Sequence, residues 1–546
     1  MGEGEFKLNG LAMAVTEAVV DMAARSGSEM RLVTPGGRYQ VRWDEGGSAT
    51  AMGQLAFFAE FLEVSGLFER WVSGCPMAYT SPNAPETKDV LGTWLLSILD
   101  GQWRYAHITG LRGDSVAPGM LGMTKIVSDE SLRRGLKHLA PALERGSEEE
   151  RPAREAQLAK TTAWMDQALA ESTREALVVG WILDIDTTIK LLYGHQDGAE
   201  ISYNPTKPGR PSHVIHTYWI ANVRLVLDAE VQGGKSHPAR HSLPRLIALL
   251  KALPAEQRPR LVRGDIAFGI DPVMRELEDM RQAYLFKLKQ SAGVKRLIER
   301  LWRATDWQDM GDGYHAAETR LKLSGWEQDR RVVVVRRAVR QSLAVEAKSD
   351  GKRQGQQSLQ FASVDTGKLW EYAVLVTNSD YPLAAIGQLY RDRADCENGF
   401  DELKNQWGWG GYTTQDLERC NLSARAVALI YNWWSWYVRL AHPKARLEAI
   451  TARPLLLAGI ARQTSHAGQA RLLVTLTHAC ADQIKTMIAN VRKGLDFVIA
   501  SAPQLTKPER WKAIVQYIIA RILPAPPGKG PSPLPLAPPE IADACG

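Results

Sequence analysis

Four residues between Ile386 and Gln406 carry the strongest chemical signal in the sequence. Tyr390, Arg393, Glu397 and Lys404 lie at offsets of 0, 3, 7 and 14 in a stretch that reads as one helix. At roughly 100° per residue all four fall within about 60° of one another. One face therefore carries a carboxylate flanked by two cations and a phenol. A metal-ligating carboxylate whose neighbours grip phosphate calls for that set. An exposed helix laced with ion pairs would produce it too. Asp401, close to the same face, is a reserve carboxylate.

One carboxylate needs partners on a rigid frame. The run Leu177-Val178-Val179-Gly180-Trp181-Ile182-Leu183 is continuously apolar and predicts a buried central strand ending in Asp184-Ile185-Asp186-Thr187-Thr188. Asp184 and Asp186 have the same strand parity and face the same side. A second strand, Pro259 to Asp265, ends in Arg263-Gly264-Asp265. Asp271-Pro272 already marks the start of the next helix, so Asp265 is not needed as its cap. Strand-like segments near 199–203, 213–220 and 223–231 are followed by a helix over 243–253. The Pro259 strand, a helix over Pro272–Met280 and a strand over Tyr284–Leu288 come next. Three strands, helix, strand, helix, strand predicts an α/β mixed sheet in the order of an RNase H-like core.

Residues 305–378 break the alternation and read as β meander. Strands are expected at Arg330–Arg340, with four consecutive valines, and near 357–363 and 369–376, with a polar turn at Lys348–Gln354. Helices return from Leu383.

The spacing Tyr, two residues, Arg, three residues, Glu, six residues, Lys resembles the YREK signature of bacterial insertion-sequence transposases of the DDE type. In that family the first catalytic Asp lies on the first core strand and is often followed by Thr or Ser. This favours Asp186, with Asp184 the alternative. Arg263-Gly264-Asp265-Ile266-Ala267-Phe268 resembles the family's Arg-x-Asp-x-x-Phe pattern, and Asn405 to Tyr412 its post-signature loop. The resemblance implies that Asp186, Asp265 and Glu397 are catalytic and hold two Mg²⁺ or Mn²⁺ ions. Arg393 and Lys404 would bind DNA phosphates, with Tyr390 beside them. It also implies a β-rich insertion over 305–378, where Trp326 would stack on a DNA base. Trp302, Trp307 and Trp370 are rivals, and a core tryptophan is the plainer reading.

The implied function is a transposase that binds terminal inverted repeats as a homodimer, cuts the transposon ends and joins their 3′-hydroxyls to target DNA. A domesticated DNA-binding protein that no longer cuts and a metal-dependent nuclease with the same core are the alternatives.

By the same resemblance residues 1–150 form a helical DNA-end recognition domain. Ser81-Pro82-Asn83-Ala84-Pro85 and Arg104-Tyr105-Ala106-His107 resemble a subgroup with large N-terminal regions. The sequence predicts a strand near 36–43, a helix from Ala51 stopping at Gly66, and a second helix over Asp89–Leu99. A third, capped by Ser128, puts Leu132, Leu136 and Leu139 on one face and Arg133, Arg134 and Lys137 on others. Those cations either read DNA or solvate a bundle. After an exposed junction at Glu148–Pro152, a long helix runs to about Glu175 and opens the core.

The core occupies 151–304 and resumes over 379–441. A helical region at 442–523, a candidate for dimerisation, and a Pro-rich disordered tail from 524 complete the expected order. His213 and His216, three apart on a strand, point to opposite faces and share no metal. Lys207, Arg210 and His237 sit in loops, facing either DNA or solvent.

Composition sets only broad bounds. The 546 residues carry a net charge of +6, compatible with a polyanionic partner. The five cysteines are scattered without a CxxC pair, so neither a zinc site nor a disulfide framework is indicated. No signal-peptide pattern or membrane-spanning apolar run is present, which fits a cytosolic location, and the resemblance implies a bacterial, nucleoid-associated one. The 17 Trp outnumber the 10 Phe, and either a core or base stacking would use them.

Overall fold

The computed structural model describes residues 29–339, 360–362 and 369–522, apart from 45, 80, 144, 146, 179, 203, 205, 206, 303–305, 477, 478 and 502. The expected polar turn at Lys348–Gln354, the start of the 357–363 strand and the Pro-rich tail lie outside the described residues. Strands β1 (Glu29–Thr34) and β2 (Gly37–Arg42) form an antiparallel hairpin, and a short β3 (Ala49–Thr50) follows.

The central strand β4 spans Ile182–Leu191, later than the apolar run suggested. Its β-branched Ile and Thr residues favour extended backbone. Leu177 instead follows a short 3₁₀ turn, Arg174–Ala176. Asp186 therefore sits in mid-strand, not at a strand end. β5 (Glu200–Ile201), β6 (Pro211–Ile220) and β7 (Leu225–Gly233) continue antiparallel. β8 (Leu261–Gly264) lies parallel to β4, and β9 (Tyr284–Lys287) parallel to β8. Helices Pro238–Ala252 and Asp271–Asp279 make the crossovers that parallel pairing requires. The order across the sheet is β7-β6-β4-β8-β9.

The β-rich segment expected as an insertion continues the central sheet. β10 (Gln308–Asp309), β11 (Tyr314–Leu321), β12 (Arg330–Val339), β13 (Gln360–Ala362) and β14 (Leu369–Thr377) belong to the same sheet, because β14 pairs with β9 through Val376 and Phe286. Alone, β9 would leave a row of unpaired backbone groups, and β14 satisfies it. Val332 to Val335 of β12 are all buried. A helix at Ala292–Trp302, not anticipated from the sequence, precedes these strands.

The terminal helical regions are not separate bodies. Helix Leu417–Ala441 is buried along nearly its whole length, so it needs cover on every side. The sheet supplies one side: Asn432 accepts from the Val226 N–H at 2.9 Å and donates to the Val226 carbonyl at 2.8 Å on β7. The N-terminal helices supply the other, with Phe58 against Trp434 and Tyr437 and Trp71 against Trp433. Trp511 of the C-terminal helix Lys507–Ile522 meets Phe61. The expected helical segment after residue 442 also contains a hairpin, β15 (Ala461–His466) and β16 (Gln469–Val474), with β15 paired to β3. Most of the aromatic excess is spent here: Trp94, Trp219, Trp407, Trp409, Trp433, Trp434 and Trp436 are all fully buried. No helix among the described residues is long and apolar enough to cross a membrane.

Candidate active site

Parallel pairing of β4 and β8 sets Ile185 opposite Gly264. One step further along each chain come Asp186 and Asp265, side by side. Glu397 approaches from helix Ala394–Gln406, whose Gly399 lies against the Trp219 ring of β6. A Cβ on Gly399 would stand 2.5 Å from that ring, so a larger residue would push the helix off the sheet. Asp186, Asp265, Tyr390, Arg393 and Glu397 line one open cavity of about 520 Å³.

The stretch Ile386–Gln406 is not one helix. It divides into Leu383–Arg391 and Ala394–Gln406, with a tight turn at Asp392 and Arg393. The cause is a side chain inserted into the helical ladder. Arg263 donates Nη1 to the Leu389 carbonyl, the acceptor that the Arg393 N–H would use in a continuous helix. The Arg393 N–H turns instead to the Tyr390 carbonyl, at 3.2 Å. Arg263 is itself fixed by Asp184, with Nε–Oδ1 at 2.6 Å and Nη2–Oδ2 at 2.7 Å, and both side chains are fully buried.

Asp184 and Asp186 thus share a strand face but not a role. Asp184 has both oxygens spent on Arg263. Asp186 accepts from the Thr187 N–H at 2.7 Å and from Arg393 Nη2, and opens onto the cavity. Burial pushes the Asp186 carboxyl up to about 7. Asp265 and Glu397 push it the same way, while Arg393 and the Thr187 N–H oppose them. Burial alone would lower the Arg393 pKa, but Asp186 and Tyr390 raise it above the ordinary value. Arg393 also reaches Glu397 at 3.3 Å, so one guanidinium spans two of the three carboxylates. Burial raises the Tyr390 hydroxyl to about 12, which keeps it a hydrogen-bond donor.

Other sequence candidates stand further off. Lys404 does not line the cavity. Burial lowers its pKa, and Asp401 and Asp186 offset part of that. Trp326 is 9 % exposed, covered by Arg330 at 5.1 Å, and does not line the cavity. His213 Nε2 meets the Asp197 carbonyl and His216 Nδ1 the Ser242 hydroxyl, so their partners are separate. Lys207 and Arg210 gather on Tyr193.

Sequence reasoning missed Lys287, which lines the cavity from the end of β9. Its signal was available: a cation ending the strand next to the one that carries Asp265. The post-signature loop is clasped by the N-terminal region, with the Tyr412 N–H donating to the Trp103 carbonyl at 2.7 Å.

Three carboxylates on one cavity form an all-oxygen donor set, the kind that suits a hard divalent cation. Among the described residues no three acidic, histidine or cysteine side chains are gathered closely enough to hold an ion as they stand. Arg393, bonded to two of the carboxylates, occupies the charge that a cation would neutralise.

Residues 179–433 match the family model described as Transposase DDE domain. That segment, a little under half of the 546 residues, contains Asp186, Asp265 and Glu397 together with the two strands and the helix that position them. The match supports a DNA transposase of the DDE type. No curated protein matches the chain significantly. Among solved structures the chain is similar to a piggyBac transposase, in a structure described as a synaptic complex with hairpin DNA. The two share 10% identity and a TM-score of 0.40, over 88% of this chain and 87% of that one.

Proposed function

We propose that this protein is a DNA transposase that cuts the ends of its element and joins the 3′-hydroxyls to target DNA, using Asp186, Asp265 and Glu397. One observation carries the reading: these three carboxylates, from two neighbouring strands and a packed helix, face one cavity with Arg393 between them. The finer resemblance, to insertion-sequence enzymes with a YREK signature and an RNase H-like core, rests on four residues at that spacing and on the β7-β6-β4-β8-β9 strand order.

The three carboxylates would hold Mg²⁺ or Mn²⁺. Bound there, the metal supplies activation of a water or 3′-hydroxyl and stabilisation of the leaving oxygen. The chain's own residues do the rest. Asp186, buried and crowded by two other carboxylates, favours a cation over remaining ionised and uncompensated. Arg393, hydrogen-bonded to Asp186 and Glu397, would set its guanidinium beside the phosphate at the scissile bond. Lys287, at the cavity wall, adds positive charge beside the carboxylates. Tyr390 holds its proton and so offers a hydrogen-bond donor at the cavity wall.

The test is cleavage of a duplex bearing the element's own terminal repeats, in Mg²⁺, Ca²⁺ or EDTA. Wild type is set beside Asp186→Ala, Asp265→Ala and Glu397→Ala. Metal-dependent cutting at the repeat boundary, lost in all three variants with binding retained, is the expected result. Binding without cutting by wild type would overturn it in favour of a DNA-binding protein. Normal cutting by Asp186→Ala would remove that residue from the set.

A further inference from the structure

Lys190 lies on β4, four residues beyond Asp186 and on the same strand face. It is 3 % exposed, and among the described residues no carboxylate pairs with it. Burial lowers its pKa, and the Cys420 thiol opposes that. A buried ammonium without a carboxylate costs stability. An apolar chain of similar length would serve folding as well or better. The reason for a lysine lies in what its hydrogen bond joins. Its Nζ donates to the Gly411 carbonyl at 2.5 Å. Gly411 belongs to the loop that follows helix Ala394–Gln406, which carries Glu397. Lys190 therefore ties the strand of Asp186 directly to the end of the helix of Glu397.

The same loop rests on the N-terminal region. The Tyr412 N–H donates to the Trp103 carbonyl at 2.7 Å, and the Tyr412 hydroxyl meets Ser97 Oγ at 2.8 Å. Tyr412 is buried at a φ of 47°, a left-handed backbone that a tyrosine adopts only under constraint. The fit is tightest at Gly411, where a Cβ would overlap the Trp103 carbonyl oxygen. A Cβ on Gly410 would meet nothing within 4 Å. Neither glycine has a left-handed backbone, so space alone separates them. We propose that Lys190 and the Trp103 carbonyl are positioning groups for the reaction. One from the sheet and one from the N-terminal region, they clamp Gly411 and Tyr412 and so fix where Glu397 stands relative to Asp186. The N-terminal region is then part of the frame that cutting requires, besides anything it does to DNA. The proposal rests on the transposase reading for the reaction that is positioned.

The test uses the full chain, a duplex of the element's end and Mg²⁺. Lys190→Met and Gly411→Ala each loosen the clamp, and Gly410→Ala is the control. Each is compared with wild type in cutting rate at saturating duplex, duplex concentration at half rate, thermal unfolding and amide hydrogen exchange across residues 394–406. Both clamp variants should cut about tenfold or more slowly at saturating duplex, because a misplacement of about 1 Å suffices for such a loss. The half-rate concentration should stay within about twofold, and exchange across 394–406 should quicken. Lys190→Met should melt no lower than wild type, and it keeps the test open if the crowded Gly411→Ala does not fold. Gly410→Ala should match wild type throughout. Wild-type cutting in both clamp variants, or an equal loss in Gly410→Ala, would overturn the proposal. A lower melting temperature for Lys190→Met with a wild-type rate per folded molecule would make Lys190 structural and overturn it too. Quickened exchange in both clamp variants, in a wild type that never cuts, would instead sink the transposase reading and leave the seating of the helix standing.

Discussion

The two halves of the large sheet differ in charge and in what they can hold. The half built from β4, β6, β7 and β8 brings acids to its working edge, and Asp186, Asp265 and Glu397 converge there around one arginine. The half built from β11, β12 and β14 brings cations, and two of them, Arg336 and Arg337, lie against aromatic rings. β9 joins the halves, and its Lys287 lines both the carboxylate cavity and a neighbouring one of about 970 Å³ on the cationic half. A phosphodiester needs acids, through a bound cation, where its bond breaks, and cations where it is merely held. One continuous sheet supplies both within a short distance.

The comparison breaks first at the acids. Removing Asp186 or Asp265 should lower strand cutting by at least about a thousandfold, since a metal-stabilised transition state is worth several kcal/mol. Rates of end cleavage at saturating protein measure this, and a loss below tenfold would take that residue out of the reaction.

Asp184 sharpens the contrast between two acids on one strand face. Asp184→Asn leaves Arg263 buried with its charge uncompensated and should cost about 3–5 kcal/mol of stability. Denaturant unfolding gives the value. Restoration of most of that loss by adding Arg263→Met would identify the pair as structural. Little change in either variant would show that Asp184 is not committed to Arg263.

Trp326 tests the cationic half. It is buried under Arg330, so Trp326→Ala should cost about 3 kcal/mol or more in stability, with affinity for DNA unchanged. Weaker DNA binding at unchanged stability would return it to the DNA-contacting set.

A fourth expectation concerns Glu230, away from both cavities. Burial pushes its carboxyl from an ordinary 4.5 up to about 7, with Asp228 adding to the rise and the hydrogen bond from Tyr218 opposing it. A raised folded pKa means that the folded state holds the proton more tightly. The contribution is therefore full below about 4.5 and is lost as pH rises through about 7, for a total of about 3 kcal/mol. The difference in unfolding free energy between wild type and Glu230→Gln should change over that window. A flat difference would mean that Glu230 titrates normally.

The smallest effect is expected at Arg134, whose exposed partner Glu130 lies 3.8 Å away. Arg134→Ala should shift stability by less than about 0.5 kcal/mol. A marked loss of duplex-end binding in that variant would favour the DNA-reading interpretation of its helix, Asp129–Leu139.

Much of the frame was legible because it depends on local pattern. Ser128 caps its helix through the Ser131 N–H, as the sequence implied. Gly66 ends a helix in the left-handed region, where glycine carries no steric cost. The strands and helices from β4 to β9 follow the expected order, with boundaries shifted by a few residues. Residue type and spacing set Tyr390, Arg393 and Glu397 together, while the choice of the two aspartates came from the family resemblance.

What the sequence could not show depends on partners distant in the chain. The break at Arg393 comes from Arg263, 126 residues before the carbonyl it takes at Leu389. Parity alone made Asp184 and Asp186 equivalent, and only the arginine that each one meets separates them. The meander's merger with the central sheet required the open edge of β9, and the clasp of Trp103 on the post-signature loop required a region remote in sequence. Local periodicity is set by covalent geometry and by the side chain at each position, so the sequence determined the elements and the chemistry they carry. Which charges meet, and which edges are satisfied, is decided by long-range packing, and only the tertiary structure could settle it.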